Sequence, residues 1–128
     1  MILVDASVIL DHLRNRDPNL LGYFGRYPVA VAGVTRSEVL HGARSAADRQ
    51  NLVTFLARFA CVPTIEPVWD ALGDNLATLR SHGVTVQFPD ALLATIGIHH
   101  DLEVWARDHH FPLMQKWLPA LKLFQEPP

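Results

Sequence analysis

The chain has 128 residues, 49% of them hydrophobic, and its 13 acidic and 11 basic side chains leave a net charge of −2. This length suits one domain over residues 1–128 with one core, and the apolar share excludes a disordered chain. The slightly negative balance excludes a globally basic nucleic-acid binder, so any RNA contact must be local, although nine of the basic residues are arginines, the side chain shaped to grip phosphate.

Met1 to Asp5 reads as an apolar strand closed by a carboxylate, followed by a helix over Ser7 to Asn15 with Val8, Ile9 and Leu13 at helical spacing. A short helix over Asn19 to Arg26 precedes Val29-Ala30-Val31-Ala32, a continuous apolar strand of the buried, parallel kind. Thr35 opens a helix to about Arg44, with Thr35-Arg36-Ser37-Glu38 matching a capping box, and Ala46 to Phe59 forms another helix. Cys61 to Ile65 is a third strand, placed at an edge by Pro63, before a helix from Val68 to His82 that Gly83 stops. An extended run over 84–88 leads to a helix from Pro89 to His100, then a strand over Glu103 to Ala106, and Leu121 to Phe124 adds a last strand. Strands separated by helical crossovers predict an α/β fold, a three-layer α/β/α sandwich with a mainly parallel central sheet.

The lone Cys61 excludes an internal disulfide and reads as a core residue. No apolar run approaches the roughly 20 residues that span a bilayer, so the expected location is cytoplasmic, with no membrane association. His99-His100 and His109-His110 lack helical metal-ligand spacing and are predicted to face solvent; Trp69, Trp105 and Trp117 read as core or interface residues.

In a parallel sheet, ligands collect beyond the carboxyl ends of the strands. Asp5 and Asp108 each follow a strand, Glu38 lies in the predicted first turn of the helix leaving the second strand, and Asp90 begins the helix that must descend to start the fourth. Each of the last three has an ordinary role at a helix start or turn, but a carboxylate directly after a buried strand is expensive unless paired. Together they converge on one edge, where two charges about 6 Å apart at a dielectric near 20 repel by roughly 2.8 kcal/mol. Four oxygen ligands of this kind suit a hard divalent cation, Mg²⁺ or Mn²⁺, rather than zinc.

Met-Ile-Leu-Val-Asp5-Ala-Ser7, Thr35-Arg-Ser-Glu38-Val-Leu-His-Gly42, Phe88-Pro-Asp90-Ala-Leu-Leu-Ala-Thr95 and Ala106-Arg-Asp108-His-His-Phe111, in this order, resemble the PIN domain of VapC-type toxins across nearly the whole chain. The resemblance implies a metal-dependent endoribonuclease that hydrolyses RNA phosphodiester bonds, a homodimer, and a VapB-type antitoxin as partner in a toxin-antitoxin system. It marks Asp5, Glu38, Asp90 and Asp108 as catalytic metal-binding acids, with Ser7 and Thr35 as supporting polar residues. Three of the acids, Asp5, Asp90 and Asp108, are expected to hold one cation, with Glu38 completing the site or holding a second. Arg14, Arg16, Arg36 and Arg107 are candidate phosphate contacts. Ala106 departs from the Thr or Ser such proteins often carry there. The alternative is a PIN-like domain that binds RNA or a partner without cutting; a phosphorylatable receiver fits worse, because it needs paired acids after the first strand, an Asp after the third and a Lys after the last, for which Glu66 and Lys122 are the nearest candidates.

Overall fold

The computed structural model describes residues 1–128 as five strands and seven helices: β1 (Ile2–Val4), α1 (Ala6–Leu13), α2 (Leu20–Arg26), β2 (Val29–Ala32), α3 (Gly33–His41), α4 (Ala46–Leu56), β3 (Ala60–Val62), α5 (Glu66–Ser81), α6 (Phe88–His99), β4 (Glu103–Trp105), α7 (His110–Trp117) and β5 (Lys122–Leu123). The strands lie in the order β3-β2-β1-β4-β5, and every neighbouring pair is parallel. The expectation of a mainly parallel sheet is met in full, with β3 at an edge.

The period of two along each strand divides the core between two layers. Ile2, Val4, Val29, Val31 and Trp105 face a layer built with α1, α2 and α4, whereas Leu3, Ala30, Ala32 and Val104 face α5, α6 and α7. Central strands covered on both faces need apolar residues at every position, which is why β1 and β2 read as unbroken apolar runs. Trp105 is fully buried, with the rings of Phe24, Tyr23 and Phe124 at 5.5, 6.2 and 5.0 Å.

Local chemistry sets the element ends. Asp5 caps α1 by accepting from the Ser7 amide at 3.1 Å, and Ser45 caps α4 by accepting from Asp48 N at 3.0 Å. Proline stands in the first turn of α5 and of α6, and Gly83, at φ 72°, turns the chain out of α5 into the extended residues 84–87. Helix α6 is buried from Asp90 through Gly97 because it is enclosed by the sheet, α3, α5 and α7.

Several sequence expectations need correction. Helix α3 starts at Gly33 with Ala32 as its cap, so Thr35 lies inside the helix and the capping box does not form; Glu38 falls in the second turn. The Thr35 hydroxyl instead donates to the Val4 carbonyl at 3.2 Å, pinning α3 to the end of β1. Helix α4 ends at Leu56, short of Phe59. Cys61 is exposed, because edge strand β3 turns only Val62 inward. Trp69 is 44% exposed, which removes the core half of its core-or-interface reading. Helix α7 was not anticipated, since Pro112 interrupts its apolar pattern within the first turn.

Gly97 marks the closest approach of α6 to β4: a Cβ there would meet Val104 Cγ2 at 2.5 Å. Alanine gains about 1 kcal/mol of helix propensity but overpacks a fully buried contact, at a cost of about 1–3 kcal/mol. Gly97→Ala is expected to be net destabilising by about 1 kcal/mol in urea unfolding; a stabilised variant would show that β4 yields to the helix.

Candidate metal centre

Four carboxylates meet at the carboxyl edge of the sheet. Asp5 follows β1, whose ladder it extends by donating its amide to the Trp105 carbonyl at 2.8 Å, and it is 4% exposed. Asp108 follows β4 by way of Ala106 and Arg107. Asp90 stands in the first turn of α6, 7% exposed, and Glu38 sits on α3, which packs against both α1 and α6. The topology that places two strand ends and two helices at one edge therefore brings the acids of four distant segments together.

Their titration reports the crowding. Burial, opposed by the Ser7 and Ala6 hydrogen bonds and reinforced by the Asp108 charge, raises Asp5 above the ordinary 3.8. Burial, then the charges of Asp5 and Asp90, push Glu38 from 4.5 up to about 7. Burial, then Asp5 and Asp108, push Asp90 up to about 6, against a small opposing pull from His110. Asp108 is the exception: burial works to raise it, but the His110 amide and ring, with the charges of His110 and His109, outweigh burial and hold it below the ordinary value. No basic side chain forms an ion pair with Asp5, Glu38 or Asp90.

Two of the acids are held in place. The Ser7 hydroxyl donates to Asp5 Oδ2 at 2.6 Å while accepting from the Arg107 amide at 3.0 Å, which ties the end of β1 to the loop that carries Asp108. Asp108 Oδ1 accepts from the His110 amide at 2.9 Å and lies 2.7 Å from His110 Nδ1. His110 is therefore half-buried against the site rather than facing solvent, and the sequence signal that could have found it is its place two residues after Asp108, the spacing at which an Asp side chain accepts from a following backbone amide. His109 and His110 offer ring nitrogens within 4.8 Å of an Asp108 oxygen and of each other, close enough to serve as potential ligand atoms for one ion. His99 is exposed; His100 is half-buried, with its Nε2 3.2 Å from the Pro63 carbonyl.

Of the four arginines proposed as phosphate contacts, Arg107 is withdrawn. Its guanidinium is engaged by Glu126 at 2.6 and 2.8 Å, Asp17 at 2.7 Å and Asp11 at 3.1 Å, and these partners, Glu126 above all, raise its pKa further. Four of its five N–H donors are taken by carboxylates, which offsets the charge a phosphate would seek. Arg14 donates to the Gly42 carbonyl at 2.8 Å, Arg16 is exposed with φ 52°, and Arg36 is half-buried on α3.

A family model described as PIN domain matches residues 2–116. Ribonuclease VapC10 of Mycobacterium tuberculosis is 30% identical over 128 residues, covering 93% of this chain and 92% of that protein. Among solved structures, VapBC2 from Rickettsia felis bound to a promoter DNA fragment aligns with TM-score 0.84 at 15% identity, over 99% of this chain and 100% of the other. FitAcB from Neisseria gonorrhoeae aligns with TM-score 0.77 at 21% identity, over 98% and 97% of the two chains. Both share this fold.

Two outcomes test the electrostatics. Glu38 and Asp90 have folded-state values above their unfolded ones, so the stability they contribute is complete below about pH 4 and lost as pH rises through about 6 and 7. Asp17, Asp108 and Glu126 are lowered and act in the opposite direction at lower pH, so the informative quantity is the difference between wild type and Glu38→Gln. In EDTA, that variant is expected to gain in melting temperature over wild type as pH rises from 5 to 8, and parallel curves would refute the shift. Arg107→Ala leaves three carboxylates around an empty position; breaking a fully buried pair costs about 3–5 kcal/mol, and with these side chains 23–31% exposed about 1–3 kcal/mol is expected in urea unfolding.

Proposed function

This chain belongs to the PIN-domain family, and on that premise we propose that it is a divalent-metal-dependent endoribonuclease, the toxin of a toxin-antitoxin pair. The observation that carries this reading is the group of desolvated, mutually repelling carboxylates with no cationic side chain paired to Asp5, Glu38 or Asp90. Such a group fits a hard cation: its donors are carboxylate oxygens, Asp5 and Asp108 are already oriented by hydrogen bonds, and a bound Mg²⁺ or Mn²⁺ would replace the missing counter-charge.

Asp5, Asp90 and Asp108 hold the first cation in this reading, and Glu38, which accepts no hydrogen bond from the protein, completes the site or holds a second. When bound, the cation supplies Lewis acidity, lowering the pKa of water and offsetting charge on the phosphoryl oxygens of the RNA. The chain's own part is to fix the donors. Ser7 sets the rotamer of Asp5, His110 sets that of Asp108, and Thr35 anchors the helix that carries Glu38. Arg14, Arg16 and Arg36 remain the candidate phosphate contacts.

The named relatives extend the reading to partners. VapBC complexes among the structural relatives support a VapB-type antitoxin that covers the site; the family resemblance adds a homodimeric form, and to these we join a cytoplasmic location and residues 1–128 as a single PIN domain. No helix is long and apolar enough to cross a membrane.

The deciding experiment follows cleavage of structured RNAs by protein freed of any copurifying partner, with Mg²⁺ or Mn²⁺ against EDTA. Removing an outer hydrogen-bond partner of a metal ligand costs roughly 10–100-fold, so Ser7→Ala is expected to lose about that much and Asp5→Asn more than about 100-fold. Cleavage that ignores EDTA or Asp5→Asn would sink the assignment. Metal binding without cleavage of any RNA would favour the non-cutting alternative.

A further inference from the structure

A cavity of about 420 Å³ opens directly beside Asp108, between residues 106–109, the start of α7 and the C-terminal segment 123–126. Resting on the ribonuclease reading, we propose that this cavity receives a nucleobase of the RNA next to the scissile phosphate and thereby selects which sequence is cut.

The volume lies in the range of sites that enclose small organic groups, roughly 300–1,000 Å³. Part of the lining is apolar, from Val104, Phe111, Leu123 and Phe124, and the remainder is largely polar; Ala106 contributes only a methyl group, which keeps the space open. An anion is disfavoured because Asp108 and Glu126 both line the cavity and the one guanidinium there, that of Arg107, is committed to three carboxylates, which leaves His109 as the remaining basic side chain. A second metal ion is disfavoured because Glu126 accepts three hydrogen bonds, two from Arg107 and one from the Trp105 indole N–H at 3.0 Å, and the Asp108 oxygen nearest His109 is already engaged by the His110 amide and ring. What remains is a neutral group with apolar faces and a polar edge, which describes a base splayed from a single strand.

The polar edge has a reader. Gln125 lines the cavity, is exposed and makes no side-chain hydrogen bond, so its amide offers a donor and an acceptor side by side, the pairing that suits adenine. Because Asp108 belongs both to the carboxylate group and to the cavity wall, an occupant lies within about one nucleotide of a phosphate held at the acids. The outer wall is also preorganised: Phe124 donates its amide to the Val104 carbonyl at 2.9 Å, and the Arg107–Glu126 pair holds the following residues down.

The test is a panel of short single-stranded RNAs that differ by one base, bound to the cleavage-impaired Asp90→Asn protein in Mg²⁺ and read by fluorescence anisotropy, alongside sequencing of products from the otherwise native enzyme. At one position beside the cut, affinities are expected to differ by about tenfold between best and worst base. Gln125→Ala, an exposed change that leaves folding intact, is expected to shrink that difference below about twofold. Ala106→Leu, which fills the cavity, is expected to raise KM for the preferred sequence about tenfold with kcat little changed and Mn²⁺ binding intact. Equal affinity for all bases, or discrimination that survives both substitutions, overturns the proposal and leaves the cavity to a side chain of a protein partner. Failure of wild type to cut any RNA would instead count against the ribonuclease reading, and the binding panel would still decide the base pocket.

Discussion

The buried carboxylate of Asp5 at the end of the central strand is the constraint on which the rest of the site depends. Strand β1 is covered on both faces and paired on both edges, so its last residue has nowhere to send a charge except over the carboxyl rim of the sheet. There the chain turns straight into α1, whose first amides satisfy part of the carboxylate, and Ser7 adds a hydroxyl donor. Ser7 accepts in turn from the Arg107 amide, so the geometry of the first acid is linked to the loop of the last. A hydrophobic residue at position 5 would remove the desolvation cost and with it the reason for this linkage.

The same fold handles a second group of acids differently, and the contrast is informative. Asp11, Asp17 and Glu126 surround one guanidinium at ordinary ion-pair distances, and Asp17 and Glu126 titrate below their usual values. Asp5, Glu38 and Asp90 sit a short distance away without such a partner and titrate above theirs. An excess of carboxylate in this chain is therefore not a general feature of its surface; where structure alone is served, an arginine is supplied. Arg107 joins the two groups through its backbone amide, so the paired cluster braces the unpaired one.

Much of this was legible in the sequence because parallel sheets are strict. Apolar runs without alternation fixed β1 and β2 as doubly covered strands, and the edge position of β3 followed from Pro63. The convergence of Asp5, Glu38, Asp90 and Asp108 followed from topology once strands and helices alternated. What was not legible depends on contacts between residues far apart in the chain. Arg107 looked like a free cation because its partners lie 19, 90 and 96 positions away. Thr35 looked like a helix cap because the motif is local, whereas its actual partner is the carbonyl of Val4. Helix α7 was hidden by Pro112, a residue tolerated in a first turn but indistinguishable in sequence from a loop marker.

Helix geometry gives partial relief to the crowded acids, and its magnitude shows why that relief is insufficient. Asp5 caps α1, Asp90 lies in the first turn of α6 and Asp108 precedes α7, so three positive helix ends point toward the same edge. Each such placement is worth about 0.3–1 kcal/mol, roughly 1–3 kcal/mol together. A single pair of carboxylates about 6 Å apart already repels by about 2.8 kcal/mol at a dielectric near 20, and four carboxylates make several such pairs. The dipoles orient the acids without neutralising them. Burial first, and this remaining repulsion second, drive Glu38 and Asp90 to take up protons at about pH 7 and about pH 6, and a divalent cation at the same place would displace those protons and convert the imbalance into binding energy.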